Sequence, residues 1–191
     1  MATAPIAKKI MIIRHAEKPD DNGKPYGVNA NGEQDKESLT PLGWQRAGAL
    51  VALFDPARGP LQSAALAKPG VLFAAAVAPH AKSRRPTETV TPLSQRIPLE
   101  LDTTYTKGQE ADVATAAQRS QGAVLICWQH EDIPAIAAHL PLSNGPVPSK
   151  WPGERFDIVW VFDLQPGTGR YAFSQVPQQL LAGDLPSVIA S

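Results

Sequence analysis

Four short apolar runs recur along the chain, and each leads into a polar stretch. Ile10–Ile13 is mostly β-branched and predicts a buried strand. Val71–Ala78 predicts a second strand covered on both faces, Ile97–Leu101 a short third, and Ala123–Trp128 a fourth. Helical spacing fills the intervals. Thr40 looks like an N-cap with Pro41 at the first helical position, and Leu42, Ala49, Leu50, Leu53 and Phe54 predict a helix over 41–54. In that register Trp44 falls on the polar face. Pro86 opens a second helix with Arg85 at the cap position, and Pro92 is expected to kink or shorten it. Further helices are expected over Gln109–Ser120 and about Asp132–Leu140, with a short helical turn at Leu61–Ala67. Arg155–Leu164 alternates in part, and Pro166–Gly169 turns the chain into Arg170–Val176, a hairpin signal. The pattern predicts an α/β fold: a three-layer, mostly parallel central sheet with helices on both faces and a C-terminal β-hairpin. The length of 191 residues suits a single domain over 1–191.

Composition narrows the function classes. Eighteen basic and eighteen acidic residues balance, so the chain lacks the positive field of a dedicated nucleic-acid binder. Its single cysteine, Cys127, excludes an internal disulfide and a Cys-based zinc cluster, and its apolar strand marks it as core. No run approaches the ~20 apolar residues of a membrane helix. Only four apolar residues follow Lys8 and Lys9 before Arg14, too few for a signal-peptide core, so a cytoplasmic protein without a membrane partner is expected. Residues 16–39 form a long polar connection, either a mobile lid over the first strand or a solvated loop. Its acidic residues miss the EF-hand spacing, and no H-E-x-x-H stands anywhere, so no metal and no cofactor are expected. His80 and His139 have no partner pattern and are expected to be structural or on the surface.

Three predicted strands end in basic or imidazole groups: Arg14-His15, Arg84-Arg85 and His130. Strand ends of a parallel sheet converge on one edge, where ligands bind. Two imidazoles and at least two guanidiniums suit a phosphoryl group, because guanidinium forks pair with phosphate oxygens. Arg85 beside a helix N-terminus adds backbone donors. A neutral imidazole can attack phosphorus, and a backbone carbonyl on its other nitrogen would fix the tautomer.

With these pieces in place, the sequence resembles the histidine phosphatase (phosphoglycerate mutase-like) superfamily, closest to small members that begin R-H-A-E-K-P. The resemblance rests on IMIIRHAEKP, LTPLGWQRAGAL at 39–50, SRRPTETVTPL at 83–93, VLICWQHEDIPAIA at 124–137, and Trp151-Pro152 with FDIVWV. It implies that Arg14 is a phosphate ligand, that His15 is the nucleophile, and that His130 is the second histidine contacting the phosphoryl group. The family's arginine stands four residues before a threonine, which selects Arg85, four before Thr89, and leaves Arg84 as a solvated residue. The chain departs from the common pattern at Ala16 and at Glu131, where glycine is usual. The proton donor in mutase-like members comes from the loop after the third strand, which offers Glu110 and Asp102. Another branch uses an acid directly after the second histidine, here Glu131. Loop position favours Glu110. The resemblance thus implies a metal-independent phosphatase that hydrolyses a small phosphomonoester through a phosphohistidine on His15 and binds inorganic phosphate. A mutase-like phosphotransferase and a phospho-ligand binding module with little turnover are the alternatives.

Overall fold

The computed structural model describes residues 7–190. Its elements in chain order are β1 (Lys9–Arg14), α1 (Pro41–Phe54), β2 (Val71–Ala74), α2 (Arg85–Arg96), β3 (Leu101–Asp102), α3 (Glu110–Arg119), β4 (Ala123–Trp128), α4 (Ile133–Ala138), β5 (Ile158–Leu164) and β6 (Tyr171–Pro177). Six strands form one sheet in the order β3-β2-β4-β1-β5-β6. The pairs β1–β4, β4–β2 and β2–β3 are parallel, whereas β5 runs antiparallel to both β1 and β6. The α/β expectation is met by a mixed sheet, with β5 and β6 as its antiparallel side. The expected span of 1–191 includes residues 1–6 and 191, which lie outside the described residues.

Strand alternation splits the core into two layers. Ile10 and Ile12 of β1 pack with Val113, Ala117, Ile133 and Ile136 of α3 and α4. Met11 and Ile13 point the other way, into Leu50, Phe54, Val90 and Leu93 of α1 and α2. β1 is fully buried from Ile10 to Ile13, so its side-chain directions are fixed on both faces and its carboxyl end is held rigidly.

Several expectations are corrected. β2 ends at Ala74, where its pairing with β4 ends opposite Cys127, and Ala76 and Ala78 make only isolated bridges. β3 starts at Leu101 because Ile97 caps α2, donating its amide to Leu93 O at 3.0 Å. Pro92 neither ends nor shortens α2, whose buried Val90 and Leu93 hold it against the sheet on both sides of the proline. Arg84 takes the cap position and Arg85 is the first helical residue. The helical turn expected at 61–67 is a single turn closed by Leu66 N to Ser63 O. α4 is shorter than its pattern, six residues from Ile133. Trp44 does face away from the sheet, but residues of the long polar connection cover it. Its indole donates to Val28 O at 2.8 Å and its ring packs against Ala16, Leu39 and Ala47.

Candidate active site

The carboxyl ends of β1, β2 and β4 open onto a pocket of about 220 Å³ lined by His15, Arg85, Gln129, His130, Glu37 and Glu131, among others. Larger depressions, of about 350 Å³ beside Arg46, about 470 Å³ along Glu100–Thr104 and about 390 Å³ beside Gly153 and Ile189, contain no imidazole.

His15 follows β1 directly, its amide bonded to Trp128 O at 3.0 Å, and only 4% of its surface is exposed. Its Nδ1 lies 2.7 Å from Ala16 O. A carbonyl can only accept, so Nδ1 carries the proton and Nε2 is left with its lone pair. Burial first, and then the Arg14 charge, hold the imidazole well below the usual histidine range. His15 is therefore a neutral base with one free nitrogen.

Arg14 is almost wholly buried. Its Nη1 donates to Gly153 O and, at 3.3 Å, to Arg155 O, and its guanidinium carbon sits 3.7 Å from the centre of the Phe156 ring. Among the described residues, Nε and Nη2 have no partner. Burial pushes Arg14 down to about 10, which leaves it cationic at neutral pH. Buried donors left unpaired are costly, and Arg14 sits behind the pocket wall and not on it.

Arg85 enters the pocket from the first turn of α2 and donates to Ser38 O at 3.2 Å, to Ser83 Oγ at 3.3 Å and to Lys36 O. Arg84 points away and pairs with Asp35, so it is an ion-pair partner of the polar connection and not merely solvated. The same connection is pinned to α2 by Glu88, which accepts from Ser38 Oγ at 2.7 Å and Leu39 N at 2.9 Å. Residues 35–39 are therefore bonded down beside the pocket, and Glu37 lies on its wall.

His130 follows β4, and Glu131 Oε2 stands 3.1 Å from its Nδ1. Burial and Arg14 lower the His130 pKa. Burial pulls Glu131 upward, but its backbone amide, His130 and Lys107 outweigh it and hold the carboxyl below its ordinary value.

The structure brings His15, Arg14, Arg85 and His130 together. It does not bring Glu110 to the pocket wall. Glu110 Oε1 accepts from Trp128 Nε1 and from Gly108 N, both at 3.0 Å, so its carboxylate is engaged with the side chain that ends β4 and not with the pocket. Asp102 caps the Thr104 amide at 2.8 Å beside the depression along Glu100–Thr104. Cys127 is fully buried, and burial pushes its thiol far up, as a core residue requires. His80 and His139 are exposed. Glu37 carries no motif signal, and Phe156, though it opens the FDIVWV piece, has no site role there, since both reach the site through the tertiary fold alone. Among the described residues no three His, Cys, Asp or Glu side chains gather as a metal site.

No family model matches the chain. No curated protein matches it either. The tungstate complex of the protein histidine phosphatase SixA has a similar structure, with a TM-score of 0.50 and 13% identity over 89% of this chain and 97% of that one. A structure described as phosphohistidine phosphatase SixA from Agrobacterium tumefaciens gives a TM-score of 0.48 and 15% identity over 90% and 97%. A mycobacterial glucosyl-3-phosphoglycerate phosphatase with VO3 gives 0.49 and 12% over 88% and 97%. The chain shares its fold with the SixA–tungstate structure.

Proposed function

We propose that this protein is a phosphatase of the histidine phosphatase superfamily that hydrolyses a small phosphomonoester through a phosphohistidine on His15. The observation that carries this is the 2.7 Å contact from His15 Nδ1 to Ala16 O, which leaves Nε2 unprotonated in a pocket walled by cations. The Nε2 lone pair attacks phosphorus while the ester P–O bond breaks, and the departing alkoxide takes a proton from a carboxylic acid. Water then attacks the phosphorus, the N–P bond breaks, and the water's proton passes to the carboxylate. Arg14, through its two unpartnered nitrogens, and Arg85 hold the phosphoryl oxygens, while neutral His130 donates to the charge that develops in transfer. The proton donor in this proposal is Glu131, on the pocket wall, in place of Glu110, whose carboxylate serves Trp128. Tungstate bound by the SixA of like fold is an oxyanion, in keeping with a phosphate site here.

The test is turnover of p-nitrophenyl phosphate in EDTA, wild type beside His15→Ala. Expected is EDTA-resistant hydrolysis that falls by about 10³-fold or more without the nucleophile. Undiminished activity in His15→Ala would overturn the mechanism.

A further inference from the structure

The His15 tautomer depends on one carbonyl, so what holds that carbonyl matters. Ala16 N donates to Thr89 Oγ1 at 2.8 Å. The same hydroxyl donates its proton to Arg85 O at 2.7 Å. Thr89 is fully buried, so neither bond competes with water. With its only proton committed to Arg85 O, Oγ1 has only lone pairs to offer Ala16, and the direction of the contact is fixed. On the far side of Ala16, Glu17 O accepts from Thr40 N at 3.0 Å and from Thr40 Oγ1 at 3.2 Å. Ala16 is thereby bonded at its own amide and followed by a residue whose carbonyl is bonded in turn, which restrains the Ala16 carbonyl beside Nδ1. Arg85, tied through its own carbonyl, is kept in register with His15 by the same hydroxyl.

We infer that Thr89 is a positioning residue for the site: its hydroxyl, bridging Ala16 N and Arg85 O, fixes the imidazole of His15 with Nε2 bare and places Arg85 relative to it. The catalytic consequence rests on the phosphatase proposed above, whereas the tautomer does not. Loss of the hydroxyl frees Ala16 to turn, and the imidazole then samples the form with its proton on Nε2, which has no lone pair there to attack with. Oxyanion binding suffers less, because the guanidinium of Arg14 makes no bond to Thr89 and that of Arg85 keeps its own bonds to Ser38 O, Ser83 Oγ and Lys36 O.

The experiment is nitrogen-detected NMR of histidine-labelled protein at neutral pH, paired with steady-state kinetics, for wild type, Thr89→Val and Thr89→Ser. Expected is a His15 signal of the Nδ1-protonated form in wild type and Thr89→Ser, and a mixture in Thr89→Val. In parallel, kcat is expected to fall about 10- to 100-fold in Thr89→Val and to recover in Thr89→Ser, with inorganic phosphate inhibiting all three within about 3-fold of one another. Thr89→Ala replaces Thr89→Val in every comparison if the valine protein does not fold. A wild-type tautomer in a folded variant without the hydroxyl overturns the inference. So does a Thr89→Ser protein that behaves like Thr89→Val, since the methyl group would then be what counts. If wild type shows the expected tautomer but no turnover with any phosphate ester, the phosphatase proposal fails while the tautomer comparison still decides the role of Thr89.

Discussion

Glu131 and His130 stand 3.1 Å apart, and their surroundings decide the charge of each. Glu131 is held below its ordinary value once burial is outweighed by its amide, His130 and Lys107, so it is ionised at neutral pH. An arriving phosphoryl dianion raises the proton affinity of both groups. His15, held well below the usual range, stays neutral as the pH falls. The acid form of Glu131 therefore grows toward acidic pH while the nucleophile remains competent. Turnover of an alkyl phosphate, whose leaving group needs the proton, is expected to rise as pH drops from 8 to 5. That of p-nitrophenyl phosphate is expected to change much less. Glu131→Gln is expected to cost about 10²–10⁴-fold on the alkyl ester and little on the aryl ester. Equal loss on both, or on neither, in pH–rate profiles would remove Glu131 from the role. At this scale the sequence was readable where chemistry follows chain order. Arg14-His15, Arg85 and His130 each end a strand or begin the helix after one. The role of Phe156 was not, because it reaches Arg14 from 142 residues away by sequence number, at the head of the FDIVWV strand piece, whose pattern predicts a strand and no site contact. The choice of carboxylate depended on how one loop folds, and loop position alone pointed to Glu110.

Helix α1 contains two glycines that look alike in sequence and differ in the fold. A Cβ at Gly43 would stand 2.5 Å from Glu17 O and 3.1 Å from Glu17 N, so only glycine lets the helix approach the backbone that follows His15 and Ala16. A Cβ at Gly48 would meet nothing within 4 Å. Gly43→Ala is expected to lower stability by about 1–3 kcal/mol through overpacking and to reduce turnover by shifting Glu17 and with it Ala16. Gly48→Ala is expected to raise stability by about 1 kcal/mol from helix propensity. Urea midpoints of the two variants should move in opposite directions, and a shared direction would contradict the close approach. The helix itself was legible from Thr40, Pro41 and its apolar spacing, but the packing that distinguishes its glycines was not. The same limit explains β2. Its apolar run continues to Ala78, yet the strand stops at Ala74, where its pairing with β4 ends, and where a partner strand stops is not written in the run that pairs with it.

Across the whole molecule, buried Arg46 joins three distant segments. It donates to Glu17 Oε1 at 2.9 and 2.8 Å, to Gln178 Oε1 at 3.0 Å, and to both oxygens of Asp184 at 3.0 and 2.7 Å. The connection after β1, helix α1 and the C-terminal segment beyond β6 thus meet on one guanidinium only 4% exposed. Removing one partner of a buried pair leaves the others uncompensated, so Arg46→Met is expected to cost about 3–5 kcal/mol. Burial pulls the Asp184 pKa upward, but the Arg46 bonds and the amides of Leu180 and Leu181 bring it below its ordinary value. A carboxyl depressed in the fold stabilises above its unfolded pKa of about 3.9 and loses that contribution as pH falls through the folded value. The gap in urea midpoint between wild type and Asp184→Asn is therefore expected to be widest near neutrality and to close in acid below pH 4. A gap that stays constant from pH 7 to 3 would mean that the carboxylate's charge contributes nothing to this junction. Arg46 would then hold the C-terminal segment through Gln178 and packing alone.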